Sequence, residues 1–443
     1  MKKFLTIFSV SVLSLFLLSC LSFIVFLASV GDKKLGAAAA PIRKFATLPQ
    51  TIGNVLTSQE LKGIPPTFIP IDDGTSDQDP TINTLEYDLY GLTSYYDLEN
   101  NQWVVRLFNF RNDATLHEWF YEAQNFREDE VHNFDDSKPK HSLLFADKSI
   151  VMSLRQTRNL TKIDSASNVV WTNDDFIFHH SLNFDADSNV WVCSTRDAAT
   201  RVGTDPLNFV LTNVDGVDYG YRDDQISQIN QRTGETMYHK SLSEIFIENG
   251  HSGLLYGMGK GRDPIHVNDI QPALTDGPYW QRDDLFISMR NRSLVMHYRP
   301  ATNKIIKLIR GPLIHQHDVN FFSDHEVSIF NNNHAELGQK VATSEEGHET
   351  SLKSSEIIIY DYENDTFRSY YQDILNKNNL FTPTAGIHHI LSNGDLFIDL
   401  EDFGRILVVD QASIKYRRIF PTEIEGYKHL TNWTRTYEEL PFN

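Results

Sequence analysis

HVNDIQPALTDGPYWQRDDLFISMRN (His266–Asn291) and HQHDVNFFSDHEVSIFNN (His315–Asn332) share one phrase with HHSLNFDADSNVWVCS (His179–Ser194) and GIHHILSNGDLFIDL (Gly386–Leu400). Each runs from a polar or histidine-bearing start through a short apolar strand and an Asn/Asp/Gly turn into a second apolar strand. Four further stretches, QISQINQRTGETMYHK, LVMHYRPATNKIIKL, EIIIYDYENDTFRSY and RILVVDQASIKYRRI, read as alternating strand, polar turn and alternating strand. They supply the two outer strands for the inner hairpins that precede them. Strand, turn and strand recur from about Leu85 onward, and no long helical period interrupts them.

This pattern predicts an all-β chain folded as a β-propeller, whose blades run on the order of 40 to 50 residues. Hairpin groups begin near residues 85, 138, 179, 266, 317 and 386, which gives six blades with extra length after the third and fifth. Histidines that return at the start of successive inner strands would converge on the central axis, and that convergence makes a site.

The chain of 443 residues is 40% hydrophobic and 12% aromatic, enough to bury a large core. A formal net charge of -19 argues against nucleic acid as a partner, because phosphate neutralisation needs clustered Lys and Arg. Of the two cysteines, Cys20 lies in the apolar leader and Cys193 in an expected strand, so the folded body has no internal disulfide and Cys193 reads as a small core residue. Phe4 to Val30 carries no charge and is long enough to span a bilayer, so residues 1–31 read as an uncleaved transmembrane anchor or signal. Residues 32–83, with Pro41, Pro49, Pro65, Pro66, Pro70 and Pro80, read as a linker, and 84–443 as the propeller. The expected location is a bacterial inner membrane, single-pass, with the propeller facing the periplasm or the cell exterior. Asn159-Leu-Thr161 and Asn432-Trp-Thr434 would be glycosylation acceptors in a eukaryotic host.

The phrases HHSLNFDADSNVWV, HVNDI with LFISMRNRSLVMHYRPATNKIIKLIRG, and HQHDVNFFSDHEVSIFNNN, in this order, resemble the bacterial arylsulfotransferase family over roughly residues 140 to 420. The resemblance implies a six-bladed propeller with a site in its channel and sulfuryl transfer from an aryl sulfate ester to a phenolic or other hydroxyl acceptor, with no nucleotide donor and no cofactor. By motif position, His317 matches a nucleophile that becomes a sulfohistidine. His266, Asn268, Arg290 and His180 match the polar shell around it. The residue types suit that chemistry: attack on a shielded sulfur needs a neutral nitrogen, with guanidinium and amide donors on the sulfuryl oxygens.

Competing readings follow from the same residues. Asp318 is set aside as a partner for His317, because neighbouring side chains on a strand point to opposite faces. For the same reason only one of His179 and His180, and one of His388 and His389, is expected in the channel. His132, His141, His251, His297, His325, His334 and His348 read as surface or hydrogen-bonded core residues. His315 and His317 would suit a zinc or copper strand pair, yet neither cysteine nor paired acids accompany them at fixed spacing. A membrane-anchored propeller that binds a glycan, an anion or a protein partner without catalysis is the alternative of a different class.

Overall fold

The computed structural model describes residues 64–71, 81–122, 138–154, 157–195, 211–212, 218–219, 222–255, 263–336, 349–351 and 354–442. The chain divides into one unit of Thr67–Ala335 with Ser351–Asn443, and another of Met1–Pro66 with Glu336–Thr350. The first unit is a six-bladed β-propeller, each blade an antiparallel sheet.

Blade I takes Tyr90–Asp97, Gln102–Asn109 and Thr115–Glu122 from the start of the propeller and its innermost strand, Arg435–Tyr437, from the end of the chain. Blade II spans Pro139–Leu144 to Val169–Asn173, and blade III spans Ile177–Phe184 to Thr236–Ser241. Blade IV spans Val267–Pro272 to Lys304–Ile309, and blade V spans His317–Phe321 to Thr366–Tyr370. Blade VI spans Ile387–Ile390 to Ile414–Ile419. The first strands of neighbouring blades touch one another and line the axis.

Alternation along the strands gives each sheet two apolar faces, and the faces pack blade against blade. Trp191, Cys193 and Ile226 of blade III meet Val267, Ile270 and Ile287 of blade IV. Phe286 and Val295 meet Val319 and Ile329 at the next junction, and Phe108 and Phe110 of blade I meet Phe397 and Val408 of blade VI. The turns follow from Asx chemistry. In DSASN and DADSN, Asp164 and Asp185 accept the backbone N–H groups two and four residues on, while Ser167 and Ser188 take the left-handed conformation.

Polar clasps join the blades where the inner strands begin. Asp224 accepts the N–H of Val267 at 2.9 Å, Asp269 that of Val319 at 2.8 Å, Asp318 that of His388 at 2.6 Å and Asp399 that of Thr434 at 2.7 Å. Blade I is tied to blade II by Ser94, which donates to Pro139 O, and by Asn432, whose backbone O accepts the His141 N–H at 3.1 Å.

Several expectations change against this frame. Phe68–Pro70 of the proline-rich segment pairs with Tyr427–His429, and Ile82–Asn83 forms a fifth, outermost strand on blade VI. Proline at an edge costs no ladder bond, which is why a segment without period still pairs. The extra length of the third and fifth blades falls partly inside them, between second and third strands, and partly after them, where short helices Leu242–Glu248 and Gln372–Lys377 follow. Asn159 and Asn432 are buried and hydrogen-bonded, which leaves neither open to a glycan. Residues 1–31 lie outside the described residues; no helix among those described is long and apolar enough to cross a membrane.

The clasp at Asp399 carries a pH signature. Burial pushes its carboxyl up to about 7, against the hydrogen bonds from Thr431 and Thr434. The folded chain therefore keeps a proton that the unfolded chain releases above about pH 4, so this carboxyl lowers stability as pH rises through about 7. Asp399→Asn keeps an acceptor for Thr434 and cannot ionise. Its unfolding free energy relative to wild type, from urea melts, should rise between about pH 5 and about pH 8; a difference that stays flat would contradict this account.

Candidate active site

The inner strands all begin at the same end of the channel, and their register is broken there. Pairing with the second strand skips between Lys140 and Leu143, His179 and Leu182, Val267 and Asp269, and His317 and Val319. His141, His180 and Asp318 inside these bulges have positive φ, as do His266 and His315 just before their strands. A bulge releases a residue from strict alternation, so consecutive side chains can serve one site.

His179 and His180 therefore both turn inward, with their Nδ1 atoms 2.7 Å apart. One nitrogen must donate and the other accept, which a pair of neutral rings satisfies. Burial and neighbouring positive charge hold both well below the ordinary histidine range. The ring of His180 lies 5.1 Å from that of His266 and 5.7 Å from that of Trp433, and Trp433 in turn lies 6.0 Å from His317. His266 Nδ1 bonds Asp263 Oδ2 at 2.5 Å. Burial lowers the pKa of His266, the bond to Asp263 opposes this, and the Arg222 and Arg290 charges add to the lowering.

His317 is buried, and its Nδ1 is 2.6 Å from Asn332 Oδ1. The amide has no freedom to flip, because Asn332 Nδ2 donates to Thr382 O at 2.9 Å. Asn332 thus presents only an acceptor, Nδ1 of His317 carries the proton, and the lone pair is left on Nε2. Burial first, and then the Arg290 charge, holds this imidazole well below its usual range and neutral.

Arg290 leaves blade IV at the end of its second strand, and its backbone N–H donates to His266 O at 3.0 Å. Its guanidinium bonds Asn291 Oδ1, and Asn291 Nδ2 bonds Asp263 O, so arginine, histidine and aspartate form one connected group. Lys140 from blade II lies 4.1 Å above the Trp433 ring and shares Glu401 with Lys138. In a chain of net charge -19, Arg222, Arg290 and Lys140 place positive charge around neutral imidazoles. Such a pocket suits an anion with a hydrogen-bonded, tetrahedral head.

Among the expected site residues, His180, His266, Arg290 and His317 are drawn together. Asn268 is a bulge residue: its Nδ2 donates to Gln316 O at 2.9 Å and holds the start of blade V, and its Oδ1 has no partner among the described residues. Asp318 turns to His388, 2.7 Å from its Nδ1, and leaves His317 alone. His388 and His389 line a cavity of about 230 Å³, together with His141, Asp318 and Arg435. His141 is buried and accepts from Arg435 at 3.1 Å, and His297 bonds Asp284 at 2.9 Å. His132 and His348 lie outside the described residues. Three candidate metal ligands approach one another at His325, Glu326 and Asp361, where Glu326 already pairs with Arg368; His315 and His317 form no such group among the described residues. Sequence reasoning missed Asp263, Asn332, Lys140 and Trp433. Asn332 sits in the quoted phrase HQHDVNFFSDHEVSIFNN, but only the fold shows that it faces His317.

The tautomer can be read directly. Imidazole ¹⁵N spectra should show His317 with unequal Nδ1 and Nε2 resonances at neutral pH, and Asn332→Ala should remove that inequality. Asn332→Asp puts a carboxylate on Nδ1 and should raise the His317 titration midpoint. An unchanged midpoint would break the link between the two residues.

Comparison with known proteins bears on the chemistry. The profile of the arylsulfotransferase (ASST) family matches residues 141–415. No curated protein matches the chain. Among solved structures, a protein of unknown function from Bacteroides caccae is 10% identical, with 80% of this chain and 100% of that chain covered and a TM-score of 0.48. A catalytically inactive virginiamycin B lyase from Staphylococcus aureus with quinupristin is 12% identical, with 66% and 73% covered and a TM-score of 0.35. Hydrazine synthase from Kuenenia stuttgartiensis is 10% identical, with 72% and 76% covered and a TM-score of 0.38. These three are likenesses only, whereas the family match spans most of the propeller, its four histidine-bearing hairpins included: the chain belongs to the arylsulfotransferase family.

Proposed function

We propose that this protein moves a sulfuryl group from an aryl sulfate ester to a phenolic or other hydroxyl acceptor, without a nucleotide donor, through a sulfohistidine at His317. The observation that carries the reading is the fixed tautomer: Asn332 holds the proton on Nδ1 and leaves Nε2 of a neutral, buried imidazole free.

In the first half-reaction Nε2 forms a bond to sulfur, the bond from sulfur to the aryl oxygen breaks, and the phenoxide leaves with the electron pair. His266, in its imidazolium form, which the Asp263 carboxylate supports, gives that oxygen a proton and is left neutral. In the second, His266 takes the proton of the acceptor hydroxyl, whose oxygen bonds sulfur while the N–S bond breaks. Arg290 offers fixed positive charge to the sulfuryl oxygens throughout, and His180 completes the polar wall beside His266. A binding role without transfer would need the same cations but no bare nucleophilic nitrogen. We also propose that the uncharged run from Phe4 to Val30 anchors the chain in a bacterial inner membrane, with the propeller outside the cytoplasm.

Intact mass after brief mixing with 4-nitrophenyl sulfate should show one added sulfuryl group that maps to His317 and is lost on adding a phenol. His317→Ala should abolish the adduct with the fold retained, and Arg290→Ala should raise the barrier by roughly 3 kcal/mol, as loss of a preorganised oxyanion donor does. A well-folded enzyme that forms no adduct would overturn the reading. With this leaving group the adduct rate should hold steady as pH falls through about 6.5, the ordinary histidine midpoint, and decline only in more acid solution. A loss of rate centred at the ordinary midpoint would mean that His317 is not held neutral as described.

A further inference from the structure

We infer that the indole N–H of Trp433 is a hydrogen-bond donor to the sulfuryl group exchanged at His317, which makes Trp433 a catalytic residue of this site; the inference rests on the sulfotransferase reading above. Trp433 lies beyond residues 141–415, the part of the chain that the family profile matches. It stands two residues before Arg435–Tyr437, the strand that completes blade I.

Two independent observations single it out. The side chain is 1% exposed, and its Nε1 has no hydrogen-bond partner among the described residues. A buried indole N–H can only donate, so it stands as an unmet donor among the described residues. Its backbone φ is 59°, a region that a bulky residue adopts only under constraint. The constraint comes from both sides: Asn432 is bonded to Ser94, and the Thr434 N–H to Asp399. The fold thus fixes an aromatic donor in an unfavourable backbone conformation, with its ring 6.0 Å from His317 and 5.7 Å from His180.

The surroundings decide which role the ring can take. Lys140 lies over its face at 4.1 Å, so that face is not free to stack on an aryl group. A cation over the ring draws on its π density and leaves the N–H a stronger donor. Sulfuryl transfer shifts negative charge onto the oxygens around sulfur, and a neutral donor that cannot lose its proton complements Arg290 there without competing for the proton that His266 moves.

Trp433→Phe keeps an aromatic ring, though a smaller one, and deletes the donor. In the full chain mixed with 4-nitrophenyl sulfate, the rate of adduct formation at His317 should fall roughly 10- to 100-fold. The melting temperature should fall only by what the cavity left by the smaller ring costs, because the lost N–H has no partner among the described residues. Adduct formation within about two-fold of wild type would overturn the inference. If that variant does not fold, ¹⁵N indole spectra of the wild-type protein decide. The Trp433 resonance, assigned by substituting the other tryptophans singly, should shift when inorganic sulfate is added, and no shift would equally overturn it. Wild-type protein that forms no adduct would instead sink the sulfotransferase reading, while the sulfate-induced shift would still test the contact.

Discussion

The capture of one blade's first amide by its neighbour's carboxylate is the interaction on which the rest depends. A propeller has no long-range sheet to hold its blades in order, so rotation of one blade about its radius is opposed only by packing and by such clasps. Asp224, Asp269, Asp318 and Asp399 each fix the start of the next inner strand. Those starts are where the register breaks and the histidines turn inward. Site geometry and blade geometry are therefore set by the same bonds. The last clasp matters most, because it positions the terminal strand that pairs with Tyr90–Leu92 and closes the ring.

Burial beside these clasps acts in opposite directions on acids and bases. It pushes Asp224, Asp269 and Asp399 up to about 7, and it lowers His141, His179, His180, His266 and His317. Both shifts disfavour charge within the channel. The charges that do remain are gathered: Lys138 and Lys140 share Glu401. An anion entering such a channel would meet neutral imidazoles among a few fixed cations. That separation of roles is harder to achieve on an exposed surface, where the ordinary histidine midpoint near 6.5 leaves rings partly protonated.

Much of this was legible in the chain itself. Alternating strands with Asx turns identify blades because Asp164 and Asp185 do the same work wherever the turn recurs, and the phrases around His266 and His317 locate the channel. What the sequence does not reveal is how alternation fails. The two-residue period assigns His179 and His180 to opposite faces, and only a bulge with φ of 59° at His180 brings both to one side. Nor does spacing show that Phe68–Pro70 pairs with a strand more than three hundred residues away, or that Trp433 reaches His317. These are ring-closure contacts, and no local pattern encodes them.

The choice of Asn332 over the adjacent Asp318 as the partner of His317 follows from the same electrostatics. A carboxylate on Nδ1 would stabilise the imidazolium and raise its pKa, so that more of the ring would be protonated and unable to act as a nucleophile. A carboxamide fixes the same tautomer by geometry alone, and its orientation is itself fixed by Thr382 O. The cost is a less basic ring, but in the proposed transfer sulfur carries a good aryloxide leaving group, and reversibility would require the histidine to be a good leaving group as well. A neutral orienter beside Arg290 would therefore suit the proposed role of His317, which has both to accept and to release the sulfuryl group, whereas Asp318, held by His388, serves as a clasp between blades.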